Sequence, residues 1–318
     1  MMASKHWLRA SLTVFATVGL LAFVLFSVDI DAVWNIIMAA SPSRMLVITL
    51  LSLAAYAWLP TWRWQRTLQA MSHDISFNQL MFARFGSQPL KTVIPFKGGE
   101  AFRAIWLRRC YGMPVLDGAA SILFDMFLVA VAQLTFLALG LFLAGSELKH
   151  GFVPTILMLS LGIGLSSRTV QRAAVRVAGI VHVKLGDVAE RLAYGFLRFP
   201  NAVRARLLAI SLVVEISEIV SMWFCCWALG LHIPMSVVLL NMPIVMGFTL
   251  LPFTLSGFGT RELAIVVLFS TYGTQEELTA AALLFTTIEF ILPTIAGLVV
   301  LPSFLSRLSS DPQVERAT

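Results

Sequence analysis

Five apolar runs in this chain are each long enough to cross a lipid bilayer as a single helix. They cover residues 8–28, 44–62, 117–144, 207–229 and 278–304. The hydrocarbon core of a bilayer is about 30 Å thick and a helix rises about 1.5 Å per residue, so about 20 apolar residues suffice to cross it. A sixth apolar run, 152–167, is shorter. These runs predict an all-α, polytopic membrane protein with about six full transmembrane helices in a single transmembrane domain, residues 1–318.

The composition of the chain is that of a membrane protein rather than a soluble one. Of the 318 residues, 58% are hydrophobic and 13% are charged, whereas a soluble domain is nearer half apolar and about a quarter charged. The net charge of +6 is therefore interpreted as basic residues at the cytoplasmic membrane face, and we expect no nucleic-acid partner. The three cysteines and five histidines lack metal-ligand spacing, so we also expect no metal site and no cofactor.

Two further apolar segments, 77–111 and 234–272, are each interrupted by a proline, a phenylalanine and a glycine-rich break. The first break lies within Pro95–Arg103 and the second within Pro252–Glu262. In each copy an arginine and a glutamate stand at the start of a new apolar run. A hydrophobic segment broken by proline and glycine in each half of a chain is typical of a membrane transport site.

The distribution of lysine and arginine predicts the orientation of the chain in the membrane, because cytoplasmic loops are enriched in both. The N-terminus, 63–76, 168–206 and the C-terminus are predicted to be cytoplasmic, and 29–43, 145–151 and 273–277 external. The first broken segment then starts and ends inside, and the second starts and ends outside. This predicts two opposed re-entrant hairpins forming an inverted pseudo-repeat. The alternative is that each is an ordinary kinked span plus a short helix.

The longest polar stretch, residues 168–206, has apolar residues at helical spacing with lysine and arginine between them. This pattern predicts a basic amphipathic segment on the cytoplasmic membrane surface. The alternative is a solvated cytoplasmic loop. Either interpretation is consistent with a multi-pass protein of the inner (cytoplasmic) membrane whose two termini are cytoplasmic.

The residues around each break have the chemistry of an anion site. A helix that starts inside the membrane presents free N–H groups and a positive dipole end, and an arginine beside it binds phosphate bidentately. Glycines allow the backbone to approach a ligand closely. The predicted lipid phosphate site comprises Arg103, Arg261, Gly98, Gly99, Gly257, Gly259 and Thr260, with Thr260 as the N-cap of the second half-helix. The alternative is that the breaks are plain turns whose arginines reach lipid headgroups.

Six carboxylates in or beside the apolar segments are candidates for a polar cavity. They are Glu100, Glu262, Asp125, Glu215, Glu218 and Glu289. Ionisable residues within a span are costly and normally face a protein interior or a wet cavity. Glu215 and Glu218 are three residues apart and share a helix face. We predict that these acids line a cavity and that one or more carries a proton. The alternative is that they pair with Arg84, Lys91, Lys97, Arg103 or Arg261 and lock the helices together.

The two motifs, in this order, resemble the signatures of the flippase-like transmembrane family. That family includes the membrane region of lysylphosphatidylglycerol synthase and the YbhN-like inner-membrane proteins. The resemblance is carried by Pro-x-x-Gly-Gly-Glu-x-x-Arg at 95–103 and by Gly-Phe-Gly-Thr-Arg-Glu at 257–262, with Pro293 and Gly297 in the last helix. It covers about residues 8 to 305. Many relatives carry a basic residue before that final proline, where this chain has Thr286, Thr287 and Glu289.

The resemblance implies translocation of an anionic phospholipid or a polyprenyl-phosphate-linked lipid across the inner membrane. We expect no soluble aminoacyl-transfer domain beside this membrane region, and therefore a flippase-like protein rather than an enzyme. The expected partners are that lipid and, as a second candidate, a lipid-synthesis enzyme. Two alternatives stay open. One is a membrane enzyme that transfers a group to or from a lipid phosphate, although no convincing nucleophile or metal constellation is present. The other is a non-transporting accessory subunit of a lipid synthase.

Overall fold

The computed structural model describes residues 17–94 apart from positions 18, 21 and 25, together with 99–144, 199–249 and 254–309. These residues form helices joined by short turns, which confirms the predicted all-α class. The predicted basic segment 168–206 lies outside the described residues up to position 198, so its amphipathic character stays a prediction.

Ten α-helices are numbered here along the described chain. They are α1 Ile30–Ala39, α2 Pro42–Ala70, α3 Phe77–Val93, α4 Ala101–Tyr111, α5 Val115–Ala144, α6 Asn201–Ala228, α7 Met235–Phe248, α8 Thr260–Leu268, α9 Gln275–Thr286 and α10 Leu292–Ser309. A π-helical turn, Thr287–Ile291, joins α9 to α10.

Four long apolar helical stretches among the described residues can cross a membrane by their length and composition. They are Pro42–Ala70, Val115–Leu143, Asn201–Ala228 and Gln275–Ser309, and they match four of the predicted spans. The protein is therefore a multi-pass membrane protein. The predicted spans 8–28 and 152–167 fall largely or wholly outside the described residues, so the count of six stays a prediction.

Both broken segments fold as two short helices on either side of a break. In the first, α3 (17 residues) and α4 (11 residues) flank the break. In the second, α7 (14 residues) and α8 (9 residues) do so. The first helix of each pair contains an internal proline, Pro89 and Pro243 respectively. This is the arrangement that the re-entrant hypothesis requires, while the membrane face from which each pair enters stays a prediction.

The helix packing relates the two halves of the chain, α2–α5 and α6–α10. Helix α3 of the first half packs along α10, the last helix of the second half. Helix α7 of the second half packs along α5, the last helix of the first half, and α2 packs on α6. An exchange of partners of this kind is what a two-fold pseudo-axis between two repeats produces.

Glycines permit close helix approach in both of these exchanged pairs. A Cβ added at Gly86 of α3 would lie 2.5 Å from the Cβ of Phe304 in α10. One added at Gly297 of α10 would lie 2.5 Å from the carbonyl oxygen of Phe85. One added at Gly140 of α5 would overlap the backbone of α7. Small residues let helix backbones approach closely inside membranes, where the hydrophobic effect contributes little to helix association.

We expect the α2–α3 turn to be cytoplasmic and the α8–α9 turn to be external, because basic residues concentrate on the cytoplasmic side. Asp74→Cys places a single thiol in the first turn, and Gln275→Cys places one at the first residue of α9, beside the second turn; both positions are exposed. Cys225 and Cys226 are buried, so only Cys110 needs replacement by serine. An impermeant thiol reagent on intact cells should label Gln275→Cys, and Asp74→Cys only after lysis. Strong labelling of Asp74→Cys in intact cells would contradict the orientation.

Candidate functional site

The two breaks meet in the folded protein. The Ser256 hydroxyl, in the second break, donates a hydrogen bond to the carbonyl oxygen of Lys91, in the last turn of α3, at 3.0 Å. Two motifs far apart in the sequence therefore lie side by side, at the place where each short helix pair is interrupted. This contact is the one expected if both motifs contribute to one region of the protein.

At the first break, Glu100 connects two basic side chains. Its carboxylate lies 2.8 Å from Nη1 of Arg103 and 3.2 Å from Nζ of Lys91. The Arg103 side chain is nearly fully buried, and its Nε donates to the Ser87 hydroxyl of α3 at 2.9 Å. The Trp64 ring of α2 lies 5.5 Å from the guanidinium carbon of Arg103. Glu100 and Arg103 are three residues apart, a spacing that brings two side chains to one helix face, and this ion pair shows them together.

The glycine before this helix lies directly against α3. A Cβ added at Gly99 would overlap the backbone of Lys91, so a glycine is required for the break to pack here. Gly98, the other predicted member of this turn, lies outside the described residues.

The second break uses glycine for its backbone conformation. Gly257 and Gly259 have φ angles of 81° and 84°, in the left-handed region that other residues rarely adopt. Helix α8 begins at Thr260, so the prediction that Thr260 is the N-cap is wrong by one residue. The cap position needs a positive φ, which favours Gly259. The Glu262 carboxylate accepts a hydrogen bond from the Gly259 N–H at 2.6 Å. The Thr260 hydroxyl instead donates to the carbonyl of Gly257 at 3.0 Å.

Arg261 is fully buried in a network of its own. Its Nη2 donates to Glu262 at 3.3 Å and its Nε to the Thr286 hydroxyl at 3.2 Å. The Thr286 hydroxyl in turn donates to Glu262. The guanidinium carbon lies 3.7 Å from the centre of the Phe290 ring. The remaining nitrogen, Nη1, has no hydrogen-bond partner among the described residues, so it is a buried donor that can still form a hydrogen bond.

The two motifs share one feature and differ in another. In each, the arginine forms an ion pair with the glutamate of its own motif, Arg103 with Glu100 and Arg261 with Glu262. The two guanidinium groups, however, have no hydrogen-bond or ion-pair partner in common among the described residues. That they act on one anion therefore stays a prediction.

An acidic cavity lies between α5, α6 and α7. It is small, with room for about one water molecule, and its polar lining comes from Gln133, Glu215 and Glu218. Pro243 of α7 forms part of its wall. Glu215 forms a hydrogen bond with the side chain of Gln133. The predicted common face of the two glutamates is confirmed, since both line this cavity.

Asp125 forms an ion pair with Arg63, a residue predicted to lie just beyond the end of a membrane span. Its carboxylate lies 2.6 Å from Nε of Arg63, which was assigned to the start of a cytoplasmic loop. The predicted span 44–62 is too short, because α2 continues to Ala70 and carries Arg63 into the protein interior, where it is 3% exposed. The membrane side of 63–76 stays a prediction. Trp64 and Leu68 extend the apolar face of α2 at helical spacing, and this signal could have identified the longer helix.

Glu289 lies in the π-helical turn and is buried. It forms a hydrogen bond with Ser221 of α6. Among the described residues, no lysine, arginine or histidine nitrogen lies within 4.0 Å of its carboxylate. The extra residue of a π-turn rotates the following side chains, and such turns are frequent at functional sites. Here the turn places Phe290 over the Arg261 guanidinium.

Glu289→Gln is expected to leave the protein folded, with a change in the free energy of unfolding of about 1 kcal/mol or less, because the amide keeps the shape and can still bond to a hydroxyl. Thermal unfolding of the purified variant in detergent measures this. Loss of membrane insertion, or a melting temperature far below that of the wild-type protein, would show that Glu289 is one half of a charged pair.

The helices and their buried charges define a multi-pass membrane protein with a polar interior. Residues 9–297 match the family described as the lysylphosphatidylglycerol synthase TM region. The chain belongs to this family, which confirms the resemblance drawn from the two motifs. It is also similar to a UPF0104 membrane protein of Methanocaldococcus jannaschii, at 21% identity over 86% of this chain and 88% of that protein.

Proposed function

We propose that the protein moves an anionic phospholipid, or a lipid carried on polyprenyl phosphate, between the leaflets of the inner membrane. The observation that carries this proposal is the meeting of the two breaks through Ser256 and Lys91. Each break presents a buried arginine beside its own glutamate. Charges placed this deep in a membrane protein are costly, and they mark the paths of substrates and ions.

In this proposal Arg103 and Arg261 hold the lipid phosphate, and Glu100 and Glu262 orient the two arginines. The ion pairs within each motif support the orienting role. Arg261 has one free buried nitrogen but no solvent access in this conformation. A headgroup therefore reaches it after the second break moves relative to the first, as in transporters whose two repeats rock against each other.

The acids in the interior supply the polar route for a headgroup. Glu215 and Glu218 line the cavity beside α7, and Asp125 and Glu289 lie buried or half-buried on the neighbouring helices. A headgroup that crosses the membrane exchanges hydrogen bonds with water for hydrogen bonds with such groups. In this proposal both termini lie in the cytoplasm, and residues 168–206 lie at the inner membrane surface. A lipid-synthesis enzyme that binds there is the second candidate partner.

Lipid translocation by the purified full chain tests the proposal. The protein is reconstituted into vesicles that contain a trace of acyl-labelled fluorescent phosphatidylglycerol, and dithionite is then added to quench the outer leaflet. We expect quenching beyond the outer-leaflet fraction that protein-free vesicles show. Labelled phosphatidylcholine serves as the probe without net charge. Quenching equal to that of protein-free vesicles, for phosphatidylglycerol and for a polyprenyl-phosphate probe alike, would reject transport.

A further inference from the structure

We infer that Arg84 is a further member of the anion site at the first break, where it acts with Arg103 and Lys91 on the phosphate of an anionic lipid. The nature of the ligand rests on the proposed function, whereas the presence of an anion site rests on the charges and contacts of this cluster alone. Arg84 lies on α3, one turn before Ser87.

The contacts of Arg84 leave its charge uncompensated. Its side chain is buried, with the residue 8% exposed. Its Nη1 donates to the backbone carbonyl of Tyr56 at 3.2 Å and to the Thr61 hydroxyl at 2.9 Å, both on α2. Both acceptors are neutral, and no carboxylate of the described residues lies within 4.0 Å of its guanidinium group.

Ser87 links the backbone of Arg84 to the side chain of Arg103. The Ser87 hydroxyl accepts a hydrogen bond from Arg103 Nε at 2.9 Å and donates to the carbonyl of Arg84 at 3.0 Å. On α2, the Tyr56 ring lies 5.3 Å from the Arg84 guanidinium carbon, and the Trp64 ring lies 5.5 Å from that of Arg103. Ser87 thereby joins two residues of like charge, which repel each other.

The charges of this cluster do not balance. Lys91 and Arg103 share one carboxylate, Glu100, and Arg84 has none within 4.0 Å among the described residues, so three positive charges accompany one negative charge. Between Pro95 and Glu100 the sequence contains one further charged residue, Lys97, which is also basic. Asp125 also acts on Arg84, but its nearest partner is Arg63, at 2.6 Å.

Burying an uncompensated positive charge is costly. The negative charge of a bound phosphate would offset the excess positive charge of this cluster. The planar guanidinium group matches phosphate oxygens, and two adjacent arginines bind the group better than either does alone. The second break differs, because Arg261 already forms an ion pair with Glu262. Lys91 is the most exposed of the three cations, with 28% of its side chain accessible, so it marks the side from which a headgroup enters.

The test compares phosphatidylglycerol binding by the full-length protein and three variants in neutral detergent. Thermal unfolding is followed as phosphatidylglycerol is added, with phosphatidylcholine as the lipid without net charge. The variants are Arg84→Gln, Arg84→Lys and the matched control Arg44→Gln. Arg44 is an exposed arginine that also lies over an aromatic ring, that of Trp227 at 4.4 Å.

We expect phosphatidylglycerol to raise the melting temperature of the wild-type protein and of Arg44→Gln equally. Arg84→Gln should need about tenfold more of this lipid for half of the shift, since a charge-assisted hydrogen-bonding group is lost. Its melting temperature without lipid should equal or exceed that of the wild-type protein, because one of two repelling charges is removed. Arg84→Lys keeps the charge and should lose a few-fold in affinity.

Two results would overturn the inference. One is an unchanged phosphatidylglycerol response in Arg84→Gln. The other is a large fall in the lipid-free melting temperature of that variant, which would make Arg84 a structural link to Tyr56 and Thr61. If Arg84→Gln does not fold, a folded Arg84→Lys protein with wild-type affinity also overturns it.

The vesicle assay separates this inference from the proposed function. If Arg84→Gln loses lipid binding while the wild-type protein moves no lipid, the anion site stands and transport is rejected. If the wild-type protein moves lipid and Arg84→Gln binds it normally, transport stands and the role of Arg84 is rejected.

Discussion

Replacement of Arg103 or Arg261 by lysine is expected to reduce lipid translocation nearly as much as replacement by alanine, by about tenfold or more. The physical reason is geometric, since a guanidinium group binds two phosphate oxygens at once and an ammonium group acts as a point charge. The measurement is the initial rate of phosphatidylglycerol translocation in reconstituted vesicles. Arg44→Lys is the matched control, because Arg44 is exposed, lies at the start of α2 and belongs to neither motif.

Folding must be measured in the same variants. Circular-dichroism melts and membrane insertion should stay close to those of the wild-type protein. If both lysine variants move lipid at the wild-type rate, the bidentate phosphate site is wrong. If both fail only because they no longer fold, the two arginines are structural partners of Glu100 and Glu262.

Removal of Asp125 alone is expected to lower the free energy of unfolding by about 3–5 kcal/mol, the usual cost of leaving one partner of a buried ion pair uncompensated. Asp125→Leu leaves Arg63 buried without its partner at 2.6 Å. The double variant, Arg63→Met with Asp125→Leu, should recover most of this loss, because two apolar side chains replace the pair. Unfolding in detergent by added denaturant measures both changes.

Asp117→Leu is the matched control for this experiment. It lies on the same helix, α5, but its side chain is 49% exposed and its ion-pair partner, His73, is 4.0 Å away. An exposed pair of this kind contributes about 1 kcal/mol or less. If Asp125→Leu costs no more than Asp117→Leu, the interior ion pair does not stabilise the fold.

Local features of the sequence were sufficient to predict the class of protein, four of its long helices and the positions of both breaks. Apolar length determines which helices can cross a bilayer. Proline and glycine interrupt a helix wherever they cluster, as at Gly257 and Gly259. Pairing within a motif was also predictable, because Glu100 and Arg103 are one helical turn apart.

The partners of the interior charges were decided by the tertiary structure. The sequence predicts Arg63 in a cytoplasmic segment and Arg84 only as a partner for acids, whereas the fold pairs Arg63 with Asp125 and links Arg84 to Arg103 through Ser87. The predicted common site of Arg103 and Arg261 likewise depends on how two breaks from separate halves meet. Contacts of this kind depend on the rotation and crossing of whole helices. Those are set by close packing across the interior, at positions such as Gly86 and Gly297, and not by the local sequence around any one charge.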